Sequence, residues 1–384
     1  MRVELIAEDN KTRARVIKFY TEHGAVTTPV FMPVGTRAGV NNLTIDELKA
    51  CQSQIILGGN TYHMCCAPQM DIIKTAGGMH QFMGWDGPML TDSGGFQIFS
   101  LSKNSKLCQI DEDGAHFTIP ETATKFYMTP QVSMEVQKII GADIIMAFDQ
   151  CTPSDASHAK ANEIMTRTHR WLEQSLDYHQ ANPNSCYAYK QALFGIVQGG
   201  IYEDLRHKSM EFIVNADLDG IALGGEMIGF DMEKTVATIR SVYANFPVLK
   251  PRYTMGVGMF PQDLLDVIKE GIDMFDCVAP TRNARHGALY AGKVIAQGDW
   301  LEFSSQYEQG RLQIKKAEFA EDNRPIMEEC TCLTCKLHTR SYLHYLFKEK
   351  SPVFTAYACI HNVHVMHEVC AKAREKILTS RVVR

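Results

Sequence analysis

Eight short apolar runs, each closed by a polar residue or a glycine, constrain this chain more than any other feature. They are Val30 to Gly35, Ile55 to Asn60, Pro88 to Ser93, Asp143 to Asp149, Leu193 to Gln198, Gly220 to Gly225, Tyr253 to Gly258, and Met274 to Asp276. Continuous apolar runs of this length fit strands buried on both faces, as in a parallel sheet. Helical periods separate them. Thr44 followed by Glu47 makes a capping box, and Thr129-Pro130 opens a helix running to Ile140. Asp155 to His179, Tyr202 to Val214, Met232 to Tyr243 and Pro261 to Lys269 also repeat at helical spacing. The alternation predicts a (β/α)8 TIM barrel, with a doubly wound sheet as the second choice. Asn60, Asp92, Asp149, Gln198, Gly225 and Asp276 all fall at the carboxyl ends of their runs, the face where a barrel carries its active site.

Two insertions break the rhythm. Residues 107–128 alternate around an Asp113-Gly114 turn and read as a hairpin. Residues 289–357 follow the last strand and read as a separate metal-binding subdomain. A final helix, from about His361 to Leu378, would close a barrel made of residues 1–288 and 358–384. No apolar stretch approaches the roughly 20 residues that span a bilayer, so no membrane role is expected. The first residues carry no apolar signal core, and twelve scattered cysteines without one point to free thiols in a reducing, cytoplasmic setting. The net charge of −5 argues against indiscriminate nucleic-acid binding. From Cys330 to Arg384, however, nine Lys and Arg face three Asp and Glu, so this end can meet a phosphate backbone.

Cys330, Cys332 and Cys335 form a C-x-C-x-x-C array. Three thiolates this close suit a structural Zn2+, which needs a fourth ligand. His338, His344, His361, His364 and Cys359 are all candidates, and spacing does not choose among them. Thr91 to Gln97 joins Asp92 and Ser93 to a glycine pair and Phe96, whose ring could stack on a flat ligand. A guanine-like edge presents two donors beside a carbonyl. Asp149 answers the donors, and Gln198 with the Gly225 N–H answers the carbonyl. Asp92 and Asp276 then form a nucleophile and acid/base pair, the logic of retaining glycosidases. On its own, Asp276 beside Arg282 and Arg285 reads equally as half of a structural ion pair.

At this point the sequence resembles the tRNA-guanine transglycosylases, the queuosine-forming family, over nearly its whole length. The resemblance rests on Phe31 to Thr36, Asn60 to His63, Phe82 to Asp86, Asp92 to Gln97, Tyr253 to Gly258, Asp273 to Cys277, Pro280 to Arg282 and the cysteine array. It implies that Asp276 attacks the ribose C1′ of the wobble guanosine in tRNAs with G-U-N anticodons. Guanine would leave a covalent enzyme–tRNA intermediate, and a 7-substituted deazaguanine, either queuine or its aminomethyl precursor, would replace it. It further implies Asp92 as acid/base, and Asp149, Gln198, Gly225, Ser93 and Asn60 around the base. Phe96 and Met255 would sandwich the ring, and Arg282 and Arg285 would hold the anticodon loop. The zinc set becomes Cys330, Cys332, Cys335 and His361, and a homodimer is expected. Where bacterial members usually read Gly-Gly-Leu-Ala-Val-Gly-Glu, this chain has Gly224-Gly225-Glu226-Met227-Ile228-Gly229-Phe230, and Gln150 replaces a common glutamate. These positions imply altered base selectivity. Two competing readings are a non-catalytic tRNA-binding partner subunit, which would lack the catalytic acids, and a barrel hydrolase acting on a nucleoside.

Overall fold

The computed structural model describes residues 1–65, 69–119 and 124–380. Eight parallel strands close into a barrel. Strand β1 runs Val30–Met32 and resumes as Val34–Gly35, because Pro33 has no N–H to give the ladder. The others are β2 (Ile56–Asn60), β3 (Met89–Asp92), β4 (Ile144–Met146), β5 (Ala192–Val197), β6 (Gly220–Leu223), β7 (Arg252–Thr254) and β8 (Met274–Asp276). The first half of β1 pairs with β8, placing Met32 opposite Asp276, and the second half pairs with β2. All eight expected runs are strands, and the fold is the expected TIM barrel.

Side chains alternate between two cores. Val30, Met32, Ile144, Met146, Phe194 and Ile196 point into the barrel. Phe31, Ile145, Leu193 and Val197 point outward onto the helices. The same inner cluster contains Ile17, Phe19 and Val26, from a three-stranded antiparallel sheet over Arg2–Glu8, Arg15–Thr21 and Gly24–Thr27. The sequence reading assigned no element before Val30. This sheet plugs the amino end, where Arg15 grips Asp273 and His23 grips Asp143, residues that immediately precede β8 and β4.

Helix starts follow their capping signals. Thr44 accepts from the Glu47 N–H while the Glu47 carboxylate answers the Thr44 N–H. The helix Pro130–Ile140 is capped by Thr129 and ends on Gly141 at φ 74°. Two expectations are corrected. The last helix spans Pro352–Thr379, beginning well before His361, because Ser351 caps it and Pro352 occupies its first position. The insertion is three-stranded rather than a hairpin: Cys108–Ile110, Ala115–Ile119 and Thr124–Met128 pair in order, with residues 120–123 outside the described set. Arg381 and Arg384 of the basic end also lie outside the described residues.

Candidate active site

A cavity of about 440 Å³ opens at the carboxyl ends of the strands. Asp276, Asp92, Asp149, Gln198, Gly225 and Met255 line it. Ser93, Phe96 and Arg282 do so as well, as do Glu226, Ile228 and Phe230 from the unusual stretch.

On one side stands Asp276. Its Oδ1 accepts from the Tyr253 hydroxyl at 2.5 Å and from the Gly256 N–H at 3.0 Å. Its Oδ2 has no hydrogen bond among the described residues, which leaves one oxygen fixed and the other free to attack. Burial pushes its carboxyl up, against those two donors. Tyr253 was not singled out from sequence; its place inside an apolar run hid a hydroxyl aimed at the next strand. Asp92, at the end of β3, is held by the Asn60 amide at 2.5 Å and the Gly94 N–H at 3.2 Å. Burial first, and the Asp276 charge after the offsetting Asn60 bond, raise it to about 7. A carboxyl that titrates near neutrality can both give and take a proton. Asn60 lies behind Asp92 rather than on the cavity wall; it also caps the short helix Thr61–Met64.

Across the cavity, Asp149 accepts from Gln198 Nε2 at 2.8 Å and from Ser93 Oγ at 3.0 Å. Burial raises it to about 6. The Gln198 carbonyl is fixed in turn by the Thr152 hydroxyl at 2.9 Å. Gly225 has φ +123°, a conformation that L side chains rarely adopt. Phe96 is half exposed at the mouth, with Met255 on the same cavity.

The selectivity residues separate. Glu226 faces the cavity with both oxygens engaged: Lys103 Nζ lies 2.7 Å from Oε1, and the Ser154 N–H and hydroxyl donate to Oε2 at 2.9 and 3.0 Å. Phe230 is 69% exposed at the rim. Met227 instead packs in the outer core, and Gln150 turns away to accept from Arg167 at 2.7 Å, so the structure does not bring either to the cavity. Arg282 lines the mouth, while Arg285 is half-buried beside it.

Of the five candidate fourth ligands, His361 joins Cys330, Cys332 and Cys335. Its Nδ1 lies 3.8, 3.5 and 3.3 Å from their sulfurs. Zn–S and Zn–N bonds at a tetrahedral angle would put S and N about 3.6 Å apart. The other ring nitrogen donates to the Tyr290 carbonyl at 2.6 Å, which leaves Nδ1 as the lone-pair side. His344 bonds the Ile314 carbonyl and the Cys359 thiol points at the Thr281 carbonyl, so both are engaged elsewhere. The donor set can hold a metal ion. The neighbouring Asn362 donates to the carbonyls of Pro280 and Ala288, both at 3.0 Å, tying this helix to the turn after Asp276.

Among the described residues no helix is long and apolar enough to cross a membrane. A family model described as queuine tRNA-ribosyltransferase matches residues 9–383. The chain is 42% identical to the queuine tRNA-ribosyltransferase of Dictyoglomus turgidum, covering 99% of this chain and 91% of that protein. It is 41% identical to the protein of that name from Bacillus subtilis, covering 100% and 93%. The Herpetosiphon aurantiacus protein is 43% identical, covering 97% and 88%. A barrel whose mouth holds two facing carboxylates, with such relatives over its full length, belongs to the queuine tRNA-ribosyltransferase family, the tRNA-guanine transglycosylases of queuosine modification.

Proposed function

We propose that this chain exchanges the wobble guanine of tRNAs with G-U-N anticodons for a 7-substituted deazaguanine, through a covalent bond to Asp276. The observation that carries this is Asp276 itself: one oxygen is held by Tyr253 and Gly256, and the other is free over a cavity shared with Asp92 and Asp149. Oδ2 attacks C1′ as the C1′–N9 bond breaks, and its electron pair leaves with guanine. Asp92 delivers a proton to the departing base. It then takes the N9 proton of the incoming base, whose nitrogen attacks C1′ and releases the Asp276 carboxylate. Asp149, Gln198 and Gly225 read the guanine edge, and Phe96 with Met255 holds the ring. Arg282 and Arg285 meet the anticodon-loop phosphates. The presence of both acids in one cavity favours this reading over a non-catalytic partner subunit.

Glu226 and Phe230 meet the 7-substituent, with Ile228 on the wall between them. A cationic amine on the incoming base would exchange with Lys103 for the Glu226 carboxylate. Competition between the aminomethyl base and queuine in wild type and Glu226→Gln reads this directly; equal preference in both proteins removes Glu226 from selectivity. The Cys330, Cys332, Cys335 and His361 set holds one structural zinc, which fixes the fold around the last helix. Leu333, Leu337, Tyr342 and Tyr345 are exposed near that site and would be covered in a homodimer. Light scattering of Leu337→Asp against wild type checks it. A cytoplasmic location follows from the tRNA substrate.

The deciding assay is exchange of labelled guanine into tRNA bearing the G-U-N anticodon, with the covalent adduct resolved on a denaturing gel. Wild type is expected to show both exchange and adduct. An adduct retained by Asp276→Ala would move the nucleophile elsewhere.

A further inference from the structure

Behind the base-reading peptide lies a cation that no part of the exchange mechanism uses. Arg206 is 1% exposed, on the helix Glu203–Asn215 that follows β5. It forms no ion pair among the described residues. Its guanidinium is instead held by main-chain carbonyls: Nε donates to Gly200 at 2.8 Å, and Nη1 to Val197 at 2.9 Å and to Gly224 at 2.8 Å. Nη2 is buried with no hydrogen-bond partner among the described residues. A Cβ added to Gly225 would sit 3.0 Å from Nη2 and 3.6 Å from the Gln198 carbonyl oxygen, which puts the unpaired donor directly against the base-reading pair. Burial lowers the guanidinium to about 10, so it stays charged at neutral pH.

The peptide between Gly224 and Gly225 is the link. In a trans peptide the C=O and the N–H point in opposite directions. The Gly224 carbonyl faces Arg206, so the Gly225 N–H faces away from it, toward the cavity that Gly225 lines. That N–H has no hydrogen bond among the described residues. A charge-assisted bond on the carbonyl polarises the peptide and strengthens its N–H as a donor. When C1′–N9 breaks, the electron pair left on guanine spreads from N9 through the ring to the O6 carbonyl. Preorganised donors and buried charge aimed at the place where negative charge grows act most strongly in a water-excluded site.

We propose that Arg206 is a positioning residue that stabilises the departing guanine anion, acting through the Gly224–Gly225 peptide and through its own unpaired charge. The proposal rests on the exchange reading above. Carbonyl scaffolding alone would not require a charge without a counterion, nor a donor left bare at this spot.

The test uses leaving groups of different acidity. 8-Azaguanine carries a triazole ring whose N–H is more acidic than that of guanine, so its anion needs less help. tRNAs carrying either base at the wobble position are mixed with excess enzyme, and adduct formation is followed in a single turnover. Arg206→Met is expected to slow guanine detachment about 100-fold, with 8-azaguanine slowed far less and tRNA affinity unchanged. Arg206→Lys, which keeps the charge, is expected to recover most of the guanine rate. Equal losses for the two bases in the variants would reduce Arg206 to scaffolding and overturn the proposal. If Arg206→Met does not fold, the same two-base ratio in Arg206→Gln, which also removes the charge, decides the matter: a guanine-selective defect supports the proposal, and an equal one overturns it. Wild type forming no adduct would instead sink the exchange reading.

Discussion

At the carboxyl end of the barrel, Asp149 is buried and Asp92 and Asp276 are half-buried, none with an ion pair among the described residues. At the amino end, Asp143 is buried against two histidines and Asp273 against an arginine. Asp273 takes two bonds from Arg15, at 3.0 and 2.6 Å, and the Arg252 N–H at 2.8 Å. Asp143 lies 2.9 Å from His23 Nδ1 and 3.3 Å from His80 Nε2, with the two imidazoles stacked 3.6 Å apart. Although desolvation acts on Asp143 most strongly, the two histidines together overcome it and hold the carboxyl well below its usual range. At the other end neutral hydrogen bonds offset the same desolvation only in part, and Asp92 and Asp149 rise to about 7 and about 6. One end of the barrel has spent its acids on locking strands to the plugging sheet. The other keeps them expensive and reactive.

The sharpest way to break this contrast is at the proposed nucleophile. Asp276→Ala is expected to lower guanine exchange by about 10⁴-fold or more and to abolish the adduct, while melting no earlier than wild type. Asp92→Asn should cost about 10²–10⁴-fold. It should also erase the part of the pH–rate profile that titrates near the raised value of about 7. The amino end should respond in the opposite sense. Asp143→Ala leaves His23 and His80 without their carboxylate and is expected to lower unfolding stability by about 3 kcal/mol in chemical denaturation. Its exchange rate per folded molecule should stay unchanged.

The smallest effect is also the most diagnostic. Asp149 has a folded pKa raised above its unfolded value, so its proton is held more tightly in the native state. Stability from this group is greatest at low pH and is lost as pH rises from about 4 toward about 6. Asp149→Asn, which never ionises, should therefore be more stable than wild type at pH 8, by about 1–3 kcal/mol, with the gain gone near pH 4. Asp143 has the opposite sign: its stabilisation is present above the unfolded value and is lost as pH falls toward the depressed one. His23, raised chiefly by its bond to Asp143, contributes below its unfolded value of about 6.5 and loses that contribution as pH rises through the higher folded one. Thermal melts of the two variants across pH 4–8 would separate the ends of the barrel.

The carboxyl end was legible in the sequence because its chemistry is written along the chain. A strand buried on both faces announces itself as an apolar run, and a polar residue at its end has one place to go. The residues proposed to read the base and the two proposed catalytic acids were picked out on that rule and by family resemblance, and the structure gathers them on one cavity. The amino end is written across the chain instead. Arg15 and Asp273 are far apart in sequence, and an arginine in a short alternating segment looks like any solvated cation. Arg206 was invisible for a related reason: in Glu203-Asp204-Leu205-Arg206-His207-Lys208 it reads as part of a charged helix face, and only packing shows it turned inward. The early start of the last helix was different, since Ser351-Pro352 is a readable start signal that the apolar pattern further on outweighed. Gln150 and Met227 were chosen by position in a motif, which fixes neighbourhood along the chain but not which way a side chain faces.

The seam at Pro33 has a consequence for how the protein comes to exist in a cell. β8 pairs with β7 on one side and with the first half of β1 on the other, so the strand that carries Asp276 is seated in part by a segment made at the opposite end of synthesis. The ring can shut only once the chain has been made at least as far as β8. A partly made chain can already carry Asp92 and Asp149 on neighbouring strands, yet it lacks β8 and with it the proposed nucleophile. Closure of the barrel and completion of the proposed site are therefore one event in the making of the chain.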